Sequence, residues 1–427
     1  MDIHVVRAGE TVSSVAARYG VPAGILAGVN GVAPDAPLAV GQTLVVRHPR
    51  ELHTVASGES VYSIALRYGL SVRTLYQNNP ALGGRSALYP GQTLVIAYDD
   101  TPTRTLAVNA YSYPFIRGGL LDAALPYLTY LTPFTYGINA DGTLLPLPGE
   151  RLLAAAGQYR TAALMHLSTL TEEGRFDNAR STLILEDADA QDALVQSILE
   201  TVQARHYFGL DVDFEYVLPE QREAYAAFIT RLREALNPLG CPVIVALAPK
   251  TSAAQRGLLY EAHDYALLGA AANAVFLMTY EWGYTYGPPM AVAPLGQVRA
   301  VLDYALTAVA PEKIFMGIPL YGYDWPLPFV SGETRAESLS PVQAVERALR
   351  HGIAIQYDAA AQAPYYHYTD RGGRKHTVWF EDARSIEAKL RLADEYHLQG
   401  VGYWNLTRPF PQNWAVLASL FDIETLL

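Results

Sequence analysis

Hydrophobic residues cluster into short runs along most of the chain. From Arg104 onward, apolar stretches alternate with longer segments of helical spacing. That alternation predicts repeated βα units around a parallel sheet. The candidate strands are Leu106-Tyr111, Tyr130-Tyr136, Ala162-Ser168, Gly209-Tyr216, Val243-Ala248, Ala274-Tyr280, Ile314-Leu320 and Gly400-Trp404. Eight such strands predict an α/β fold, a (β/α)8 TIM barrel. An oversized stretch, about 330–380, separates the last two. Its runs Ala354-Tyr357, Tyr365-Tyr368 and His376-Phe380, around an Arg371-Gly372-Gly373 turn, predict a small α+β insertion with antiparallel strands beside the active-site face. The basic cluster Arg371–His376 reads as a solvated hairpin tip.

The first hundred residues repeat themselves. Val6-Arg7-Ala8-Gly9-Glu10-Thr11-Val12 matches Val55-Ala56-Ser57-Gly58-Glu59-Ser60-Val61, and Val40-Gly41-Gln42-Thr43-Leu44-Val45 matches Pro90-Gly91-Gln92-Thr93-Leu94-Val95. Each copy predicts a strand, a helix capped at Thr11 or Ser60, a second helix around Ala23-Val29 or Val72-Asn78, and a closing strand. Both βααβ copies resemble LysM modules in their Gly-Glu-Thr/Ser, Tyr-Gly and Gly-Gln-x-Leu positions. Val40 departs from the usual Pro in the first copy. The resemblance implies binding of N-acetylglucosamine chains in a groove formed by Gly9, Glu10, Thr11 and Gly58, Glu59, Ser60, with Ala39-Gly41 and Tyr89-Gly91 opposite. Taken singly, these residues are better explained as helix caps and turns, while the module as a whole is expected to bind glycan. The expected domains are residues 1–49, 50–98 and 99–427, with a short polar break at Asp99-Thr103.

Composition narrows the partners. Half of the 427 residues are hydrophobic and 17% are charged, which suits a folded chain of more than one domain. A formal net charge of −11, with no long Lys/Arg run, excludes nucleic acid and anionic membrane as expected partners. The 29 Tyr and 5 Trp offer flat faces with a polar edge, suited to sugar rings or to core packing. Cys241 is the lone cysteine and reads as a buried, inert thiol. No apolar run approaches the ~20 residues needed to span a bilayer. The opening Met1-Asp2-Ile3-His4 lacks a secretory pattern, so the expectation is delivery without a signal peptide. No metal or cofactor is expected: there is no His-Glu-x-x-His, Cys pair or glycine-rich nucleotide loop, and no His stands at ligand spacing.

The chemistry concentrates in Asp211-Val212-Asp213-Phe214-Glu215. Strand alternation puts the three acids on one face, where crowding raises the proton affinity of at least one. A cation site is the competing reading, disfavoured because no His partner accompanies the acids. Glu215, longest and nearest the strand's C-terminal end, is the expected proton donor. With its flanks, Phe208-Gly209-Leu210-Asp211-Val212-Asp213-Phe214-Glu215 resembles the Asp-Gly-x-Asp-x-Asp-x-Glu strand of family 18 glycoside hydrolases, Phe208 replacing the leading Asp. The resemblance implies that the substrate's acetamide is the nucleophile, with Asp213 orienting it and Asp211 sharing a proton behind. It also implies that Tyr280, within Met278-Thr279-Tyr280-Glu281, contacts the acetamide oxygen and that Trp404 forms the sugar floor. Glu281 replaces the family's usual Asp, and Tyr111 and Tyr321 read equally as pocket walls or as packing. Met165-His166-Leu167-Ser168 lacks the Ser-x-Gly-Gly of chitinases.

The order of modules and barrel, with Phe380-Glu381-Asp382 and Gly402-Tyr403-Trp404-Asn405, resembles spore cortex-lytic enzymes. That implies an N-acetylglucosaminidase acting on peptidoglycan fragments that carry muramic-δ-lactam, associated with the spore or cell wall. The alternatives are a chitinase or endo-N-acetylglucosaminidase, and a catalytically silent glycan-binding protein.

Overall fold

The computed structural model describes residues 1–171 and 173–427. Eight parallel strands close on themselves in chain order: Arg104–Ser112, Tyr130–Pro133, Ala162–Ser168, Gly209–Asp213, Val243–Leu247, Ala274–Leu277, Ile314–Pro319 and Gly400–Trp404, the last pairing with the first. Several strands are shorter than the apolar runs suggest. The fourth stops at Asp213 rather than Tyr216, because Tyr216 turns into the left-handed region (φ +58) and lifts the chain off the sheet. Two glycines decide how the interior fills. A Cβ on Gly400 would lie 2.5 Å from the Phe315 ring, and one on Gly402 would lie 2.5 Å from the Phe276 ring. Their absence lets both rings occupy the barrel. Phe421–Ile423 adds a short parallel strand beside Arg104–Leu106.

Between the last two barrel strands stands an antiparallel sheet of Gly322–Pro326, Glu337–Leu339, Gln356–Asp358, Ala363–Thr369 and Lys375–Trp379, with the helix Pro341–His351. Its first strand begins ahead of residue 330. Asp324 organises the sheet from inside. Its buried carboxylate accepts from Tyr368 Oη (2.6 Å), pairs with His376 Nδ1 (2.7 Å) and meets the Arg347 guanidinium. That is the satisfaction a buried charge requires.

The N-terminal modules are built alike. Helices Val12–Tyr19 and Ala23–Asn30 cover the pair Asp2–Val5 and Thr43–Val46, while Val61–Arg67 and Val72–Asn78 cover Pro49–Thr54 and Thr93–Tyr98. Thr11 and Ser60 form reciprocal capping boxes with Ser14 and Ser63. Both modules are fastened to the barrel. Gln412 Nε2 donates to Thr43 O (2.6 Å) and Asn30 Oδ1 (3.0 Å), and Tyr127 Oη donates to Gln77 O (2.9 Å). No single helix among the described residues is long and apolar enough to cross a membrane.

Candidate active site

The site lies where the barrel strands end. Asp211 and Asp213 are the third and last residues of the fourth strand, and Glu215 stands two residues beyond it. Val212 and Phe214 point away into the wall, where Phe214 stacks on Tyr225 at 5.7 Å. The backbone under Glu215 is pinned from the next unit. His263 Nε2 donates to Phe214 O (3.0 Å), while its Nδ1 accepts from Ala248 N (2.8 Å).

Burial dominates the electrostatics. Asp211 is inaccessible and Asp213 nearly so, and both Asp211 oxygens and Oδ1 of Asp213 lack a hydrogen-bond partner of ordinary length. Burial pushes the Asp211 carboxyl up, against a smaller pull from the Tyr111 hydroxyl. Burial and then the charge of Asp211 push Asp213 up. Burial, then Asp213, then Glu281 push Glu215 up to about 8. A carboxyl in this state keeps its proton at neutral pH and has it ready for transfer.

The other expected residues gather around these acids. Tyr280 and Met278 line one lobe of the cleft with Glu215, a space of about 760 Å³. Trp404 and Tyr321 line a second lobe of about 660 Å³, and Glu281 belongs to both. Glu281 sits at φ +68, and its carboxylate accepts from Tyr323 Oη (3.1 Å) and from Tyr321 Oη. The longer side chain at this position is thus held by two phenols. Trp404 packs edge-on against Phe134 (4.9 Å) and Tyr113 (5.9 Å) and tilted against Tyr111 (5.6 Å).

The expectation that no His accompanies the acids fails. His166, on the third strand in register with Asp211, brings Nε2 to 3.9 Å from Asp211 Oδ2 and 3.8 Å from Asp213 Oδ2. Its Nδ1 lies 2.6 Å from Thr135 Oγ1. Burial holds the imidazole far below its usual pKa, at about 3, so the ring is neutral. The neutral ring shares Nδ1 with the Thr135 hydroxyl and turns Nε2 toward both carboxyls. Within the sequence, the signal was a single polar ring in the apolar strand Ala162–Ser168. Only the pairing with the fourth strand gives it a partner.

In the N-terminal modules, Glu10 and Glu59 are occupied internally. Glu10 bonds His4 Nε2 (2.7 Å), Arg7 N (2.8 Å) and Arg18 (2.8 Å), and Glu59 bonds His53 (2.7 Å), Ala56 N (2.8 Å) and Arg67 (2.7 Å). The grooves also differ between modules. In the first, Val40 O accepts from Ile355 N (2.8 Å) of the insertion, and a Cβ on Gly41 would lie 2.0 Å from Ile355 O. In the second, Tyr89 is 71% exposed and Gly91 has nothing within 4 Å. No group of His, Cys, Asp and Glu among the described residues could hold a metal ion.

A parallel barrel presenting two buried acids and a third at the floor of an aromatic-walled cleft is that of a glycoside hydrolase, with LysM domains ahead of it. The chain belongs to glycosyl hydrolases family 18, whose family model matches residues 171–408, and LysM domains match at 4–47 and 53–97. The match starts beyond the third strand, so His166 lies outside it. The chain is 39% identical to the cortical fragment-lytic enzyme of Bacillus subtilis, over 99% of each chain. It superposes on the Bacillus cereus spore cortex-lytic enzyme SleL with a TM-score of 0.84 at 38% identity, covering 99% of this chain and 98% of that one. The Bacillus megaterium enzyme of the same name gives a TM-score of 0.84 at 36% identity, covering 100% and 99%.

Proposed function

We propose that this hydrolase cleaves N-acetylglucosaminyl bonds in spore-cortex peptidoglycan, with net retention and with the substrate's acetamide as nucleophile. The observation that carries this reading is the position of Glu215, lining the cleft just beyond the buried pair Asp211 and Asp213, where burial and the Asp213 charge push its carboxyl up to about 8. Glu215 passes its proton to the glycosidic oxygen as that bond to the anomeric carbon breaks. The acetamide oxygen closes onto the same carbon, giving an oxazolinium ion. Asp213 receives the acetamide N–H and balances its positive charge, while Asp211 and His166 behind it fix the shared proton. Glu215, now a carboxylate, takes a proton from water, which attacks the anomeric carbon, reopens the ring and restores the original configuration. The likeness to cortex-lytic relatives along the whole chain supports the cortex as substrate and a spore location. The LysM domains support binding to its N-acetylglucosamine chains.

The test is digestion of purified cortex fragments followed by mass spectrometry, with the anomeric form of fresh product read by NMR. N-acetylglucosamine at new reducing ends, formed first as the retained anomer, is expected. Glu215→Gln should lower kcat by about 10²–10⁴ while leaving glycan binding in place. Inverted product, or an undiminished Glu215→Gln, would sink the mechanism.

A further inference from the structure

The wall of the second cleft lobe carries a cation that the chemistry above does not use. Arg408 lies there with Tyr113, Phe115, Trp404 and Ser338. One guanidinium nitrogen donates to Ser338 Oγ (3.2 Å), and among the described residues Arg408 makes no ion pair. Several arginines of this chain are likewise without a carboxylate, but Arg408 is the Lys or Arg that lines this lobe, so its remaining guanidinium donors stand on the wall of a substrate cleft. Glu281, the other charged residue of the lobe, is engaged by Tyr321 and Tyr323. Beside Arg408, Tyr113 and Phe115 stack at 5.0 Å and 15°, and Phe115 is 75% exposed, a flat apolar platform open to a sugar face.

The two lobes are not equivalent for a bound glycan. This step rests on the proposed function: Glu215 protonates the leaving oxygen, so the leaving sugars occupy its lobe and the Arg408 lobe takes those on the non-reducing side. In peptidoglycan the sugars alternate, so an N-acetylglucosamine over Trp404 has a 3-O-lactyl sugar as its neighbour there, and where that sugar has not closed into a lactam its lactyl arm ends in an acid or carries an amino acid. We propose that Arg408 is a specificity-determining residue that binds a carboxylate on that lactyl arm, either the lactyl acid itself or the acid of a first amino acid attached to it. A planar guanidinium meets a carboxylate through two parallel hydrogen bonds, a geometry that Lys or Gln cannot reproduce. Chitin, whose sugars are neutral, offers this residue hydroxyl and carbonyl acceptors but no carboxylate.

The experiment compares kcat/KM on alternating oligosaccharides whose lactyl group is the free acid, its neutral amide, or an alanyl acid. The wild type is expected to prefer one of the acids over the amide by about tenfold or more. The two acid arms tell which carboxylate is read. Arg408→Gln should bring that ratio close to one, and Arg408→Lys should keep part of it. Because the readout is a ratio, partial misfolding of a variant does not move it. A wild-type ratio near one, or a ratio that survives Arg408→Gln, overturns the proposal while leaving the hydrolase reading intact. Failure of the wild type to cut any of the three overturns both.

Discussion

Replacing Glu281 by Gln removes one negative charge near Glu215 while keeping the side-chain shape and an oxygen for the Tyr321 and Tyr323 hydroxyls. The Glu215 carboxyl rises from 4.5 to about 8 through three causes, burial first, Asp213 second and Glu281 third. The smallest of three accounts for less than a third of that rise, so removing it lowers the carboxyl by about one pH unit at most. Glu215 must hold its proton to act, so the alkaline limb of activity follows its pKa. At pH 7 an acid near 8 is protonated in about nine molecules of ten, whereas an ordinary carboxyl is protonated in fewer than about one in a hundred. The assay is kcat/KM on a short N-acetylglucosamine oligosaccharide across pH 5–10. The wild-type alkaline limb is expected near 8, and that of Glu281→Gln lower by up to about one unit. A limb that stays in place or moves upward would refute the electrostatic coupling. A fall of two units or more would show that charge, not burial, keeps Glu215 protonated.

Three further outcomes follow from buried groups. His166→Ala removes the polar ring packed 3.8–3.9 Å from Asp211 and Asp213, so the carboxylate forms lose a nearby dipole; the acid limb of kcat should shift to higher pH, with kcat down about tenfold or more and KM nearly unchanged. An unchanged acid limb would reduce His166 to packing. Glu381 and Lys389 form a fully buried pair at 2.8 Å, so Lys389→Met should destabilise the fold by about 3–5 kcal/mol in denaturant titration. Joint replacement by Glu381→Leu and Lys389→Met should recover most of that loss, and if it does not, the pair is worth more than its burial. The third outcome concerns stability against pH. A carboxyl whose folded pKa is raised binds protons in the native state that the unfolded chain releases, so its stabilising contribution falls as pH climbs from about 4.5 to about 8. Glu215→Gln should therefore gain Tm relative to the wild type over that range, and a constant difference would contradict the burial of this acid.

The parts that were legible from sequence rest on local rules. A strand turns alternate side chains to one face, so Asp211, Asp213 and Glu215 converge wherever that strand sits. Thr11 and Ser60 cap helices through atoms three residues away, and the two modules show their kinship by direct repetition. The barrel followed from the count and spacing of apolar runs, although strand ends did not. Apolarity runs past the last ladder hydrogen bond, as at Ala274-Tyr280, where pairing stops at Leu277. Local rules were silent on other contacts: Glu10 and Glu59, in the expected glycan groove, each close a bond to a histidine on the first strand of their own module.

The sequence alone thus determined the modules, the barrel and the acid trio, because each is encoded by periodicity or by neighbours a few residues apart. Tertiary structure decided what the acids can do. Their raised proton affinity comes from strands closing around them, and the neutral His166 reaches them only because the third strand lies in register with the fourth. It also made the two modules unequal, since only folding brings Ile355 against Gly41 and leaves Gly91 open. Arg408 and Ser338 are seventy positions apart, and no pattern along the chain places them on one wall of the cleft. Contacts of that kind depend on how distant segments pack, and packing is a property of the whole chain.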